Sequence, residues 1–227
     1  MIVLTWNMQG AGSGTGTSNA SDALSALRKG ADVLLLQEAG GVPDWGLKKT
    51  SCGGVKLLHG FRNFGSDRKA IEAQVIWFDS TENTNAMHDR CSMGIIATNF
   101  SGTYGVVTHN SNGLRPLIGI LTNDGVWVYN IHAPSGNHKA ASGVAANLLG
   151  QIGGKEKFIC AGDYNCTPAD MMLRGFKAVS GGGATHQNGN TLDFAVGQKV
   201  TVTPYVSMFS TMPTLVSDHY SQCFSVQ

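Results

Sequence analysis

Short apolar runs that end at polar residues are the feature that most restricts how this chain folds. The runs IVLTW, ADVLLLQE, VWVYNIHA and KFICAGD end at or beside Asn7, Glu38, His132 and Asp163. Short runs of this kind, rich in β-branched and aliphatic residues, are typical of buried strands. Because sites are commonly built at strand ends, the pattern predicts a sheet protein with a polar site at one edge.

Amphipathic stretches alternate with some of these strands. Residues 21–29 and 139–151 have helical apolar spacing, and each precedes a strand. The runs VKLLH, AQVIWF and SMGIIAT predict meander strands, and NDG at 123–125 predicts a hairpin. No linker or repeat of fixed period divides the chain. Residues 1–227 are therefore predicted to form a single α/β domain of two packed mixed sheets with outer helices.

Composition excludes several classes of protein. Charged residues make up 14% of the chain and the net charge is +1, which argues against a strongly basic nucleic-acid binder. The 30 glycines fit a turn-rich fold and not a coiled coil. No apolar run is long enough to cross a membrane. Met1 is followed at once by IVLTW, which indicates a cytosolic protein or one whose leader has been removed.

The cysteine count is odd, at 5, so at least one thiol has no partner within the chain. Cys52 and Cys91 lie in loop-like contexts and are candidates for a disulfide in an oxidising compartment. Cys160 and Cys223 lie in apolar runs and are expected in the core. No cluster of cysteine and histidine has the spacing of a zinc site.

The stretch CAGDYNC, residues 160–166, presents an acid and an amide two positions apart. On a strand, this spacing places Asp163 and Asn165 on the same face, where they could hold a water or a metal and donate to a phosphate oxygen. Gly-Asp-x-Asn is also common in plain turns, because these residues tolerate turn dihedrals. The rest of the chain has to decide between the two interpretations.

Other strand-end residues supply complements to this pair. Glu38 suits a hard divalent cation such as Mg²⁺. His132 and His219 could act as base, acid or charge stabiliser if a carboxylate holds each tautomer, and Asp193 is the candidate partner of His219. Arg115 is a candidate phosphate clamp or else an exposed strand-edge arginine. Each residue alone also fits a cap, a turn or a solvated side chain, but together they predict a site.

Seven motifs in order resemble those of the endonuclease/exonuclease/phosphatase superfamily, whose best-known member is deoxyribonuclease I. They are WNMQG, LLLQEAG, RPLIGI, IHA, AGDYN, TLDFAV and SDHY. The longer phrases ADVLLLQEAGGVP and RPLIGILTND are closer still to the catalytic B subunit of cytolethal distending toxins. The resemblance runs from Trp6 to the final strand. It implies a four-layered α/β/β/α sandwich of two mixed sheets flanked by helices.

Carried over residue by residue, the resemblance implies two sets of ligands. Asn7, Glu38 and Asp218 would hold a metal, which is Mg²⁺ with Mn²⁺ or Ca²⁺ as alternatives. Arg115 and Asn165 would bind the substrate phosphate.

The same transfer implies a catalytic set, which consists of His132, Asp163, Asn165, Asp193 and His219. Asp163 would orient or deprotonate the attacking water, and Asp193 would fix His219. Glu72 would brace His132, although no motif anchors that match.

The chain departs from the family pattern in places. Tyr164 stands where phenylalanine or leucine is usual, which is expected to alter packing only. SDHYSQ lacks the proline that usually follows the aromatic residue, so the local turn is expected to differ. Loops such as 60–69 contact substrate in such folds, so the sequence determines the substrate less well than the chemistry.

The activity implied by the resemblance is that of a metal-dependent endonuclease that nicks duplex DNA. It would be a secreted toxin, acting in the nucleus of a host cell together with delivery or binding subunits. The alternative on the same fold is a phosphatase of inositol phosphates or phosphoinositides, which the near-neutral charge leaves open. A catalytically inactive binding module is a third possibility, and the completeness of the catalytic set counts against it.

Overall fold

The computed structural model describes residues 1–10, 24–65, 69–83, 91–109, 115–154, 156–205 and 217–227. The strands are β1 Ile2–Asn7, β2 Val33–Gln37, β3 Lys48–Cys52, β4 Val55–Asn63, β5 Glu72–Phe78, β6 Met93–Ala97, β7 Tyr104–Val107, β8 Leu117–Leu121, β9 Trp127–His132, β10 Phe158–Asp163, β11 Ala178–Val179, β12 Asp193–Gln198, β13 Val202–Pro204 and β14 Gln222–Val226. The helices are α1 over 24–28, α2 Ser80–Asn83, α3 His138–Ile152 and α4 Pro168–Met172.

These strands form two mixed sheets within the described ranges. The first has 8 strands in the order β13-β14-β1-β2-β6-β5-β4-β3, and the second has 6 in the order β11-β12-β10-β9-β8-β7. Strand β1 is parallel to β2, and β9 is parallel to β10. Parallel neighbours end at the same edge of a sheet, so each sheet brings two strand ends together near its centre.

Apolar side chains alternate between the two faces of each sheet. Leu35 and Val128 belong to the layer between the sheets. Leu34, one residue earlier on β2, packs instead with Leu27 of α1 on the outer face of the first sheet. Helix α3 covers the outer face of the second sheet through residues such as Leu149. The predicted four-layered α/β/β/α sandwich is therefore confirmed, and its alternation follows the period of two along a strand.

Most predicted elements are present, and the exceptions have physical causes. The predicted helix over 21–29 is helical at 24–28, while 21–23 lie outside the described residues. Strands β3 and β7 were not predicted from the sequence. Both lie at sheet edges and are partly exposed, so they lack a continuous apolar run. None of the described helices has the length and hydropathy of a membrane span.

The five cysteines are all free thiols. Cys52 ends the edge strand β3, whereas Cys91 lies 3.4 Å from the guanidinium of Arg115. The disulfide considered for Cys52 and Cys91 is therefore not formed. Cys160 is buried in the core as expected, and Cys223 is partly buried.

Candidate active site

Strand register brings several of the predicted residues together. His132 ends β9 directly opposite Asp163 at the end of β10. Asp163 in turn faces Asp193 at the start of the antiparallel β12. In the first sheet, Asn7 ends β1 opposite Gln37, the residue before Glu38. Five strands thus present their polar ends at one edge of the sandwich.

The buried carboxylate of Asp163 is the centre of the site. Its Oδ2 accepts hydrogen bonds from Nδ2 of Asn7 at 2.9 Å and from Nδ2 of Asn165 at 3.0 Å. Nε2 of His132 lies 3.7 Å from the same oxygen, and Nε2 of His219 lies 3.9 Å from it. One oxygen atom is therefore shared by four predicted site residues from different parts of the chain.

Asp163 and Asn165 do not lie on one face of a strand, so of the two interpretations left open by their spacing the turn is the one observed. Strand β10 ends at Asp163, and Asn165 has a φ of 48°. Oδ1 of Asp163 accepts the backbone N–H of Asn165 at 2.8 Å, which forms an Asx turn. The turn folds the amide of Asn165 back onto the carboxylate. The turn interpretation and the functional interpretation are therefore compatible.

Gly162 lets β9 and β10 approach beside the site. A Cβ atom at this position would overlap the carbonyl oxygen of Ile131. The residue that precedes Asp163 has to be glycine for this reason, because any side chain would push the two strands apart. The close approach of His132 and Asp163 depends on it.

Glu38 lies next to His132. Oε1 of Glu38 is 3.6 Å from Nε2 of His132, so this ring nitrogen faces Glu38 on one side and Asp163 on the other. The side chain of Glu38 is 14% exposed, whereas that of His132 is 1% exposed. Glu38 is thus the carboxylate of this group that a solvated cation reaches most easily.

The two predicted phosphate ligands meet at the carbonyl oxygen of Ala133. It accepts Nη1 of Arg115 at 2.6 Å and Nδ2 of Asn165 at 2.8 Å. The guanidinium is thereby held beside the carboxamide, next to the Asp163 carboxylate. Arg115 is partly buried and is not a solvated strand-edge arginine.

Asp193 holds His219. Nδ1 of His219 lies 2.7 Å from Oδ2 of Asp193, and Oγ1 of Thr185 donates to the same oxygen at 2.8 Å. Thr185 accepts the backbone N–H groups of Leu192 and Asp193, so its hydroxyl proton has to point at the carboxylate. Sequence reasoning missed Thr185, since a threonine in a glycine-rich loop carries no motif.

The pKa values follow from this burial. Burial disfavours the charged form of His219, but the hydrogen bond to Asp193 and the carboxylates of Asp163 and Asp218 outweigh it and raise the pKa to about 9. Burial, followed by the charge of Asp193, raises the pKa of Asp163 to about 7. Near neutral pH, His219 is therefore a cation and Asp163 is poised to exchange a proton.

Asp218 lies beside the rings of His219 and His186. Its Oδ1 is 3.8 Å from Nε2 of His219, and its Oδ2 is 3.2 Å from Nε2 of His186. Asp218 therefore groups with two histidines. Two compact acid–histidine groups occur among the described residues: Asp163, Asp193 and His219, and His186, Asp218 and His219.

Comparisons with known proteins bear on the family and the fold. The model of the Endonuclease/Exonuclease/phosphatase family matches residues 4–219. The chain belongs to this family. Membership makes it an enzyme that acts on phosphoester bonds, and the family depends on divalent metals.

Solved structures of low sequence identity share the fold. The cytolethal distending toxin of Actinobacillus actinomycetemcomitans is 22% identical over 98% of this chain and 97% of that chain, with a TM-score of 0.76. The toxin of Haemophilus ducreyi is 21% identical over 98% and 96%, with a TM-score of 0.74. The catalytic domain of human Nocturnin is 16% identical over 100% and 93%, with a TM-score of 0.55. A search of curated protein sequences finds no match.

Backbone strain in this family member concentrates at the site. Gln9, Glu38, Arg115 and Asn165 have φ values of 53°, 45°, 58° and 48°. Residues other than glycine rarely adopt such angles, and those that do cluster where the surrounding structure enforces them for function. The sequence gives no sign of this strain at Glu38 or Arg115.

Glu72 does not brace His132, so that prediction is wrong. Glu72 is exposed at the start of β5, two residues before Gln74 on the same strand. Gln74 pairs with Ala97, which pairs with Val33 at the beginning of β2, and Glu38 follows the opposite end of β2. The antiparallel order thus places Glu72 at the far edge of the sheet.

The segment 60–69 is also not the predicted loop beside the site. Its residues 60–63 belong to β4, and Asn63 pairs with Glu72 at the far edge. Residues 66–68 lie outside the described residues.

The residues present fit a hard divalent cation. Glu38, Asp163 and Asp218 supply carboxylate oxygens, which such cations prefer. Burial, the largest cause, and the neighbouring charge of Asp193 raise the pKa of Asp163, so its negative charge lacks full compensation within the protein. A bound cation would supply that compensation.

Proposed function

We propose that this family member is a Mg²⁺-dependent endodeoxyribonuclease of the toxin type, which nicks duplex DNA by in-line attack of water on a phosphodiester. The observation that supports the proposal is the convergence of His132, Asn165 and His219 on the buried Asp163 carboxylate. A hydrolase needs these roles close together: a base for water, a cationic stabiliser and a phosphate ligand.

Asp163 is the residue that takes the proton of the attacking water. With a pKa of about 7, it is partly ionised near neutral pH, where a general base works best. Asn7 and Asn165 hold the carboxylate, so its orientation is set before substrate binds. The water oxygen forms the new bond to phosphorus as the bond to the leaving ester oxygen breaks.

Cationic groups stabilise the charge that develops on the phosphate. His219 is charged near neutral pH because Asp193 holds it, and its Nε2 donates to a phosphate oxygen. Arg115 and Asn165 contact the other oxygens from their shared position at Ala133. A divalent cation bound by carboxylates such as Glu38 would neutralise further charge on the phosphate and the leaving oxygen.

His132 completes the proton balance. It lies between Glu38 and Asp163 and donates a proton to the leaving oxygen, while Asp163 receives one from water. The enzyme returns to its starting state when the two residues exchange protons with solvent. Loss of either group is expected to slow hydrolysis by about 10²- to 10⁴-fold.

A plasmid-nicking assay tests the proposal. The parent protein is expected to relax supercoiled plasmid with Mg²⁺ and to stop when a chelator is added. His132→Ala and Asp163→Ala are expected to nick about 10²- to 10⁴-fold more slowly than the parent. His138→Ala is a matched control, because His138 also faces an aspartate, Asp170 at 3.7 Å, but is exposed. Nicking by His132→Ala or Asp163→Ala at the parent rate would refute the assigned roles.

A phosphatase of inositol phosphates or phosphoinositides is the second candidate. The net charge of +1 leaves it open, because duplex DNA is best bound by a basic face. Release of inorganic phosphate from soluble inositol phosphates, measured beside plasmid nicking with the same preparation, separates the two. Phosphate release without nicking would replace the nuclease proposal. Activity on neither substrate would support an inactive binding module.

The toxin proposal extends to where the protein acts. Its support is the similarity to cytolethal distending toxins over nearly their whole chains. We propose a secreted toxin that acts in the host nucleus after delivery by companion subunits. Expression inside cultured cells is then expected to produce nuclear DNA breaks that Asp163→Ala does not produce. The purified chain added outside the cells is expected to produce none without its companions.

A further inference from the structure

His186 lies beside the site, although the seven sequence motifs do not include it. Its backbone forms an isolated antiparallel bridge with His219. The N–H of Tyr220 donates to the carbonyl of Thr185 at 2.7 Å, and the N–H of Gln187 donates to the carbonyl of Asp218 at 2.9 Å. The segment 185–187 thus clamps the backbone of 218–220.

The hydrogen bonds of His186 determine its tautomer. Nδ1 accepts the backbone N–H of Asn188 at 3.0 Å, so it carries no proton. In the neutral ring the proton is then on Nε2, which lies 3.2 Å from Oδ2 of Asp218. A protonated nitrogen has no lone pair for a metal. His186 is therefore a hydrogen-bond donor to Asp218 and not a metal ligand, although it belongs to the acid–histidine group with Asp218 and His219.

Contacts on two sides restrict the Asp218 carboxylate and the ring that holds it. The backbone N–H of Asp218 donates to Oε1 of Gln9 at 2.9 Å, which ties Asp218 to the end of β1. The ring of His186 packs edge-on against that of His219, with centroids 4.7 Å apart and an interplanar angle of 88°. With Oδ2 taken by His186, Oδ1 is left on the side of His219, 3.8 Å from its Nε2.

We propose that His186 is a positioning residue, which holds Asp218 so that Oδ1 faces the metal and phosphate side of the site and thereby sets the affinity for the divalent cation. The inference rests on the proposed function, in which Asp218 is a metal ligand. Hydrogen bonds to a ligating carboxylate are part of a metal site, and their loss commonly weakens metal binding by about 10- to 100-fold.

Two variants separate the hydrogen bond from the packing of the ring. His186→Gln keeps an N–H donor that reaches the position of Nε2 but removes the ring. His186→Phe keeps a ring against His219 but removes the donor. His138→Ala is the matched control at an exposed histidine–aspartate contact. Titration calorimetry with Mn²⁺ and with Mg²⁺ on the full chain measures affinity, and melting without metal reports folding.

We expect His186→Phe to bind metal about 10- to 100-fold more weakly, His186→Gln within a few-fold of the parent, and the control unchanged. In the nicking assay the half-saturating Mg²⁺ concentration should rise for His186→Phe, while the rate at saturating Mg²⁺ stays near the parent value. Parent-like affinity of His186→Phe would overturn the inference, as would equal weakening of both variants. A parent protein that binds metal but does not nick DNA would refute the proposed nuclease and leave the positioning role standing.

Discussion

Replacing Asp193 by asparagine tests how His219 is held, because it removes a charge and keeps the shape. Oδ2 of Asp193 receives hydrogen bonds from Nδ1 of His219 and from the hydroxyl of Thr185. Two donors require an oxygen there, so the new NH₂ group has to take the place of Oδ1. Oδ1 is buried and has no hydrogen-bond partner among the described residues. The unpaired NH₂ is expected to cost about 1–3 kcal/mol of stability.

The larger effect is on the charge of His219. Its pKa is raised from 6.5 to about 9, with Asp193 as the largest favourable cause. A return to 6.5 removes about 3 kcal/mol of stabilisation of the imidazolium, or about 300-fold. At pH 7.5 the charged population alone falls about tenfold. The hydrolysis rate of Asp193→Asn at this pH is therefore expected to fall by between about 10- and about 300-fold.

Two measurements check the reasoning. NMR titration of the His219 ring in metal-free protein should give a pKa near 9 for the parent and 6.5 or below for Asp193→Asn. The rate deficit should narrow at pH 5.5, where the variant's histidine is charged again. The reasoning is refuted if the variant keeps the parent's histidine pKa. It is also refuted if the rate deficit is the same at both pH values in a folded variant.

Three further predictions concern the surrounding structure. Gly162→Ala is expected to lower stability by more than about 1 kcal/mol and to reduce activity sharply, because its Cβ overlaps the Ile131 carbonyl; parent-like melting and activity would contradict this. In metal-free protein, the charged His219 stabilises the folded state fully below pH 6.5, and this stabilisation is lost as pH rises through about 9. The melting temperature should therefore fall between these pH values, and a melting temperature that does not change with pH would contradict the prediction. Asn130→Ala removes the oxygen that accepts a hydrogen bond from Nε2 of Gln37 at 2.7 Å between the two sheets. The midpoint of urea unfolding should fall by the equivalent of about 1–3 kcal/mol, while the dependence of the unfolding free energy on urea stays the same. An unchanged midpoint would argue against the role of this contact.

Much of the fold was predictable because its central strands are short but nearly continuous apolar runs. Strands β1, β2, β9 and β10 lie in sheet interiors, so the requirement for apolar side chains appears directly in their sequence. Edge strands face fewer neighbours: β3 is polar, with the sequence KKTSC, and β7 has only 4 residues, so their pairing is not visible in a local pattern. The prediction that Glu72 braces His132 was wrong for a related reason. The direction of a strand in a meander depends on the whole sheet and is not visible in the strand's own sequence.

Site residues that come directly after an apolar strand could be predicted from the sequence. Site residues that reach the site only through tertiary contacts could not. Asp163, His132 and Glu38 follow apolar runs and could be read from the chain. Thr185 and His186 lie in a glycine-rich loop. The backbone N–H groups of Leu192 and Asp193 hold Thr185 at the Asp193 carboxylate, and the bridge to 218–220 brings His186 to Asp218.

The sequence by itself determined which residues carry chemistry and which family they resemble, because acids, amides and histidines end its apolar runs in a recognisable order. The tertiary structure alone decided that Asn7, His132, Asn165 and His219 surround one oxygen of Asp163. That arrangement arises from parallel strand register, from the contact of two sheets and from a left-handed turn after β10. The register and the contact between the sheets are set by packing across the molecule, and neighbouring residues in the chain do not encode them. The turn is the local exception, because Oδ1 of Asp163 accepts the backbone N–H of Asn165 two residues later.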